Sequence, residues 1–92
     1  MPVVYLKVQY PDDEKEDIYS PSSVIRSFFS AGESLSVGDF EARISEALET
    51  ASSRVAQVYG YECTAAMGEL ARVSRKLKTH DPAAKIEILG LN

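Results

Sequence analysis

The fold is decided by residues 36–60, which read SVGDFEARISEALETASSRVAQVYG. Apolar residues recur there every three or four positions, the spacing of one face of an α-helix. Ser36 with Asp39 resembles a capping box in which aspartate replaces the usual glutamate or glutamine, and Gly60 is a typical helix stop. We therefore predict one long amphipathic helix. Its predicted buried stripe consists of Phe40, Ile44, Ala47, Leu48, Ala51, Val55 and Val58.

The segment before this helix predicts a β-hairpin. Residues 3–10 alternate between apolar and other side chains, which is the period of a strand with one buried face. Pro11-Asp12-Asp13 is typical of a turn. Residues 14–19 predict a second strand, whose acidity favours an edge position because charge discourages pairing with other chains.

Two further helices and a strand complete the prediction. Ser20-Pro21 has the pattern of an N-cap followed by proline at the first helical position, so we expect a short helix over residues 21–29 and then a loop over residues 31–34. A third helix is predicted from Cys63 or Thr64 to the Asp81-Pro82 stop, and a last strand over residues 84–90.

The predicted order is therefore ββαααβ. This order gives the α+β class, as a two-layer sandwich in which a three-stranded sheet has its helices packed on one face. We expect the first strand to lie in the centre, between the second strand and the last. Residues 1–92 are predicted to form a single domain.

Composition excludes several classes of protein. Hydrophobic residues make up 45% of the chain and charged residues 26%, which is typical of globular proteins. No apolar run approaches the roughly 18 residues of a membrane span, and the first residues lack the basic region of a secretory signal. Cys63 is the single cysteine and has no partner for an internal disulfide. These features predict a cytoplasmic protein without a membrane partner.

Charge is distributed unevenly along the chain. The net charge is −4, which argues against nucleic acid as a partner. Residues 1–50 carry four basic and ten acidic side chains, whereas residues 51–92 carry six basic and four acidic ones. This asymmetry indicates either an ordinary solvated surface or a bipolar molecule that pairs with itself or with a charged partner.

The sequence lacks the usual metal and cofactor motifs. His80 and Cys63 are single residues far apart, and the acidic run over residues 12–17 lacks the spacing of a calcium loop. None of the five glycines belongs to a phosphate-binding loop. We therefore expect neither a metal nor a cofactor.

Two arginines are the most suggestive polar pair. Arg43 and Arg54 are separated by about three helical turns, so they lie on one edge of the predicted stripe, about 16 Å apart. This separation suits an interface rim or two separate carboxylates. Alternatively, each arginine pairs with an acid such as Asp39, Glu46 or one from the sheet.

The junction between the last two helices contains Tyr59, Tyr61 and Cys63. The tyrosines suit either sealing of the core or contact with a partner. Cys63 is either a buried, inert thiol or, at a free helix N-terminus, a nucleophile with a lowered pKa. His80 lies about 25 Å away along the helix, which disfavours a Cys–His pair.

Several blocks of residues match a known family in order. These blocks are Tyr19-Ser20-Pro21-Ser22, Asp39-Phe40-x-x-Arg43, Ala47-Leu48-x-x-Ala51-Ser52-x-Arg54-Val55 and Tyr59-Gly60-Tyr61-x-Cys63. The chain thereby resembles, over nearly its whole length, the small bacterial "nitrogen starvation response" proteins. It departs from them where Asp13 replaces an expected glycine, Tyr10 a tryptophan and Tyr61 a phenylalanine.

The resemblance implies a pathway and no reaction. The family is encoded in a conserved gene cluster with a nitrilase, which implies a role in assimilating nitrogen from nitriles or cyanide, and it supplies no catalytic residues. Our leading hypothesis is a non-enzymatic accessory protein that binds another protein of the cluster, itself as a homo-oligomer, or both. The alternative is a small enzyme or metabolite-binding protein that uses Cys63 on a nitrile-derived or anionic ligand. A stand-alone regulator of nitrogen status would rest on the family description alone.

Overall fold

The sheet has four strands, and the helices pack on one of its faces. A computed structural model describes residues 3–60 and 64–92. The strands form one antiparallel sheet of order β2-β1-β4-β3. The predicted α+β class is confirmed, but the prediction of three strands is wrong. In chain order the elements are β1 (Val4–Gln9), β2 (Lys15–Ser20), a 3₁₀ helix (Ser23–Ser27), β3 (Ser34–Ser36), α1 (Val37–Tyr59), α2 (Thr64–Leu77) and β4 (Lys85–Leu91).

The N-terminal hairpin closes as predicted. The Tyr10 N–H donates to the Glu14 carbonyl across 2.8 Å, and the Asp13 N–H donates to the Tyr10 carbonyl across 2.9 Å. Asp13 has a φ of 69°, a left-handed conformation that aspartate tolerates in turns. β2 lies at one edge of the sheet, and β1 lies between β2 and β4, as expected.

The fourth strand was missed because it is very short. β3 has three residues, of which only Leu35 is buried, so no alternating pattern identifies it. It occupies the other edge and pairs with β4, with Leu35 opposite Ile86. The sequence placed part of this segment in a loop, whereas its backbone completes the sheet.

The helix predicted over residues 21–29 is only a 3₁₀ helix. Ser22, not Ser20, is its N-cap, and the Ser22 hydroxyl accepts from the Val24 N–H. Ser20 is the last residue of β2, and its hydroxyl donates to the Ser22 carbonyl across 2.8 Å. Serine side chains that bond to nearby backbone favour turns over continued helix, which accounts for the short 3₁₀ geometry. The described residues therefore form two α-helices, and the prediction of three is wrong.

Both predicted ends of α1 are confirmed. The Ser36 hydroxyl accepts from the Asp39 N–H across 3.1 Å. At the other end Gly60 has a φ of 81°, and its N–H donates to the Ala56 carbonyl. The predicted stripe is buried as far as Val55, but Val58 is 57% exposed. Val58 was therefore wrongly placed in the stripe, because the last turn of α1 extends beyond the core.

The core lies between the inner face of the sheet and the two α-helices. Inward-pointing strand residues such as Leu6, Val8 and Ile88 are at most 1% exposed, and they pack with Phe40 and Leu77 from the helices. The helices therefore cover one face, as predicted. None of the helices in the described ranges is both long and apolar enough to cross a membrane.

Candidate functional site

Arg43 is held by the protein itself. Its guanidinium donates to a Glu33 carboxylate oxygen across 2.7 Å and to the Phe28 carbonyl across 3.2 Å, and it lies 5.7 Å from the centre of the Phe29 ring. The hydrogen bond from Arg43 lowers the pKa of Glu33. These contacts fasten the segment before β3 to α1. Arg43 thus pairs with an acid, but with Glu33 and not with Asp39 or Glu46.

Arg54 has different surroundings from Arg43, although both lie on α1. It forms no hydrogen bond or ion pair with any described residue, and its side chain is exposed. It lines a groove together with Arg26 and the serines around the 3₁₀ helix. The structure therefore brings Arg54 beside Arg26, a residue that the sequence did not suggest because no motif links the two segments.

The helix junction is only partly described. Tyr59 is 53% exposed at the end of α1, so about half of its side chain is available to solvent. Tyr61 and Cys63 lie outside the described residues. The two alternatives for Cys63, a buried thiol or a reactive one, therefore stay predictions. The same holds for the two alternatives for the tyrosines, sealing of the core or contact with a partner.

A charged network joins α2 to the edge strand β2. The Arg72 guanidinium donates to Glu16 across 2.8 Å, and the Tyr10 hydroxyl donates to the other Glu16 oxygen. Lys76 forms ion pairs with Glu14 and Glu16, and its ammonium lies 4.6 Å from the centre of the Tyr10 ring. Part of the uneven charge along the sequence is therefore neutralised within the chain.

The same network fixes the charge state of its members. Burial would raise the pKa of Glu16, but hydrogen bonds from Arg72 and Tyr10 outweigh it and lower the pKa. Burial, followed by the bond to Glu16, raises the pKa of Tyr10, and bonds to Glu69 and Glu16 raise the pKa of Arg72. Each shift stabilises the ordinary charge state at neutral pH. Such shifts are typical of a structural ion-pair network and not of a group that exchanges protons during a reaction.

The outer face of the sheet carries a second cluster. Val3 and Tyr5 are each 45% exposed, and Leu89 is 36% exposed. The rings of Tyr5 and Tyr19 meet edge to face, with 6.1 Å between their centres. None of the described helices covers this face. We call this surface the open sheet face; its residues are Val3, Tyr5, Lys7, Asp17, Tyr19 and Leu89.

The comparison with known families gives one match. The sequence model of the family described as "Nitrogen starvation-induced protein NitG" matches residues 5–91. No curated protein and no solved structure matches the chain significantly. The family match covers nearly the whole chain and confirms the resemblance carried by the residue blocks. The chain therefore belongs to the NitG family of nitrogen starvation-induced proteins.

Proposed function

We propose that this protein is a non-enzymatic accessory protein of nitrogen assimilation from nitriles in starved cells, and that it works in the cytoplasm as a homodimer joined through the open sheet face. The family description supports a role in nitrogen starvation. The gene-cluster resemblance supports the link to a nitrilase. The observation that carries the binding role is the exposed aromatic and apolar surface on one face of the sheet.

The open sheet face has the composition of an interface. The rings of Tyr5 and Tyr19 lie side by side on it, and tyrosine rings bury large areas at interfaces. Val3, directly before β1, and Leu89, on the neighbouring strand β4, extend the apolar area. Sheets pack face to face through such surfaces at a separation of about 10 Å.

The charges on this face favour a second copy of the same chain as the occupant. Lys7 on β1 lies directly opposite Asp17 on β2, and Tyr5 lies opposite Tyr19. A two-fold axis parallel to the strands and midway between β1 and β2 would place Lys7 of one copy over Asp17 of the other. Neither Lys7 nor Asp17 forms an ion pair with a described residue, so both charges are available. Such self-complementarity is what a two-fold interface requires.

The shifted titratable groups also support a binding role over a catalytic one. In the described ranges they all belong to ion-pair clusters that connect elements of the fold, namely Arg43 with Glu33 and the network around Glu16. These clusters stabilise the scaffold on which the dimer surface lies. Their chemistry does not require a substrate.

A growth experiment tests the proposed role. Deleting the gene should slow growth on a nitrile as sole nitrogen source and leave growth on ammonium unchanged. The wild-type gene should restore growth, and so should the control Lys78→Asp at an exposed position directly after α2. The double variant Val3→Glu/Tyr5→Glu, which places charge on the open sheet face, should not restore it. Normal growth of the deletion strain on nitriles, or full rescue by the double variant, would contradict the proposal.

A protein partner within the pathway is also part of the proposal. The homodimer would bind another protein of the nitrilase gene cluster. Mixing the purified chain with each purified cluster protein, followed by size-exclusion chromatography, should give one complex at micromolar concentration. Separate elution of every mixture would remove the accessory role.

The alternative use of Cys63 on a nitrile-derived or anionic ligand stays a prediction, because this residue lies outside the described ranges. A catalytic thiolate should react with an alkylating agent almost as fast at pH 6 as at pH 8.5. A thiol that reacts only after denaturation would exclude it.

A further inference from the structure

A groove on the helical side of the molecule has the polar lining of an anion site. We call it the Arg26/Arg54 groove. It is open to solvent and has a volume of about 550 Å³, which is within the range of small-molecule sites. Its two arginines come from separate elements, since Arg26 belongs to the 3₁₀ helix and Arg54 to α1. It is lined by Ser22, Ser23, Val24, Arg26, Ser27 and Arg54.

The positive charge of this groove is not neutralised by the described part of the chain. No carboxylate lines it, and neither arginine forms an ion pair with a described residue. Arg26 makes a single long contact of 3.5 Å with the Leu91 carbonyl. Arg43 and Arg72, by comparison, each donate to a glutamate across 2.7–2.8 Å. Two guanidinium groups that line one groove repel each other, and an anion bound in the groove would relieve this repulsion.

Serine hydroxyls complete the set of donors. Ser22 is 5% exposed and is held in a turn by the Ser20 hydroxyl, which donates to the Ser22 carbonyl and accepts from the Ser22 N–H. The Ser22 oxygen accepts from Val24, but its own proton has no acceptor among the described residues. Ser23 is exposed, and its hydroxyl has no described partner. Both hydroxyls are therefore available as donors at the groove.

We propose that the Arg26/Arg54 groove binds the phosphate group of a small metabolite. A guanidinium group can donate two parallel hydrogen bonds to a phosphate group. Two guanidinium groups together with the serine hydroxyls provide more donors than the two oxygens of one carboxylate can accept. A phosphate group offers three terminal oxygens and up to two charges. The groove shares no lining residue with the open sheet face, so this inference stands without the proposed homodimer.

The inference is tested by titrating the isotope-labelled chain with inorganic phosphate and following backbone amide signals at constant ionic strength. Adenosine monophosphate and succinate serve as a phosphate monoester and a dicarboxylate. Phosphate and the nucleotide should each give saturable shifts in residues 22–27 and at Arg54. Shifts that remain linear to about 20 mM, or tighter binding of succinate, would overturn the proposal.

Matched variants separate this site from general attraction of anions to positive charge. Arg54→Gln and Arg26→Gln should each weaken phosphate binding by about tenfold or more. Arg75→Gln removes an exposed charge on α2 that does not line the groove and should leave binding unchanged. Equal weakening by all three substitutions would overturn the site. Because these arginines are exposed, unchanged thermal midpoints should verify that each variant is folded.

Discussion

Arg72 on α2 donates a hydrogen bond to Glu16 on β2 across 2.8 Å and thereby ties the second helix to the edge of the sheet. The Nε–H of the same guanidinium donates to a Glu69 carboxylate oxygen, also across 2.8 Å. The other oxygen of Glu69 accepts from the Tyr19 backbone N–H. This contact occupies a donor on the edge strand that a further strand could otherwise pair with, so the network also protects the edge of the sheet.

Removing the Tyr10 hydroxyl should weaken this network. Tyr10 is 1% exposed, and its hydroxyl donates to the half-buried Glu16. Tyr10→Phe should lower the free energy of unfolding by about 1–2 kcal/mol, because the charged carboxylate of Glu16 loses one of its donors. Urea unfolding followed by circular dichroism would measure it. The Tyr5 hydroxyl has no described partner, so the control Tyr5→Phe should change the free energy of unfolding by less than about 0.5 kcal/mol. Equal effects of the two variants would show that the hydrogen bond from Tyr10 to Glu16 contributes nothing.

Stability should decrease as the pH falls below about 4.5. Hydrogen bonds lower the pKa of Glu16, Glu33 and Glu69 in the folded protein below their ordinary 4.5. A carboxylate whose pKa is lower in the folded protein binds fewer protons there than in the unfolded chain. Its contribution to the free energy of unfolding is therefore fully present above the unfolded pKa, and it is lost as the pH falls through the folded pKa. Urea midpoints at pH 7, 5 and 3 should show this loss.

A glutamine substitution assigns part of this loss to Glu16. Glu16→Gln should give a less stable protein at pH 7 and a shallower decline towards pH 3, so that its difference from the wild type narrows. Glu49→Gln, at an exposed position without a described ion pair, should retain the wild-type slope. Parallel curves for Glu16→Gln and the wild type would contradict the assignment.

Two glycines should respond in opposite directions to alanine. Gly60 ends α1 with a φ of 81°, which disfavours any side chain, whereas Gly68 lies within α2 with open space at its Cβ position. Gly60→Ala should destabilise the protein by about 1–2 kcal/mol. Gly68→Ala should stabilise it by about 0.5–1 kcal/mol. Thermal unfolding of both variants would test this, and a stable Gly60→Ala protein would refute the left-handed cap.

Charge exchange in trans should reveal the proposed two-fold interface. Lys7→Asp and Asp17→Lys should each be monomeric, because like charges would face each other across the axis. A mixture of the two variants should form heterodimers, since every acid at these positions then faces a base on the other chain. If Lys7 paired only with Asp17 of its own chain, mixing the two variants would not produce heterodimers. Native mass spectrometry would detect the mixed species, and a mixture that remains monomeric would rule out the proposed axis.

The sequence predicted elements whose signals are local. The period of β1, the Pro11 turn and the caps at Ser36 and Gly60 depend on residues close in the chain, and the structure confirms them. β3 was missed because three residues carry no period, and the 3₁₀ helix was overextended because helical spacing of apolar residues does not show that serines bond to the backbone instead.

The candidate site was harder to predict because its contacts join distant residues. Glu16 and Arg72 are brought together only by packing of α2 on β2. Arg26 and Arg54 line one groove only because the 3₁₀ helix packs beside α1. The sequence identified Arg43 and Arg54 as a pair on one helix edge. The fold gives Arg43 a glutamate and leaves Arg54 facing a groove, a distinction that helical spacing does not contain.

Sedimentation equilibrium of the purified chain tests the proposed dimer most directly. At about 100 µM and neutral pH, the wild type should have twice the 10.1 kDa mass of one chain, and Val3→Glu/Tyr5→Glu should have the mass of one chain while remaining folded. A wild-type protein that stays at 10.1 kDa, or a double variant that keeps the dimer mass, would contradict association through the open sheet face.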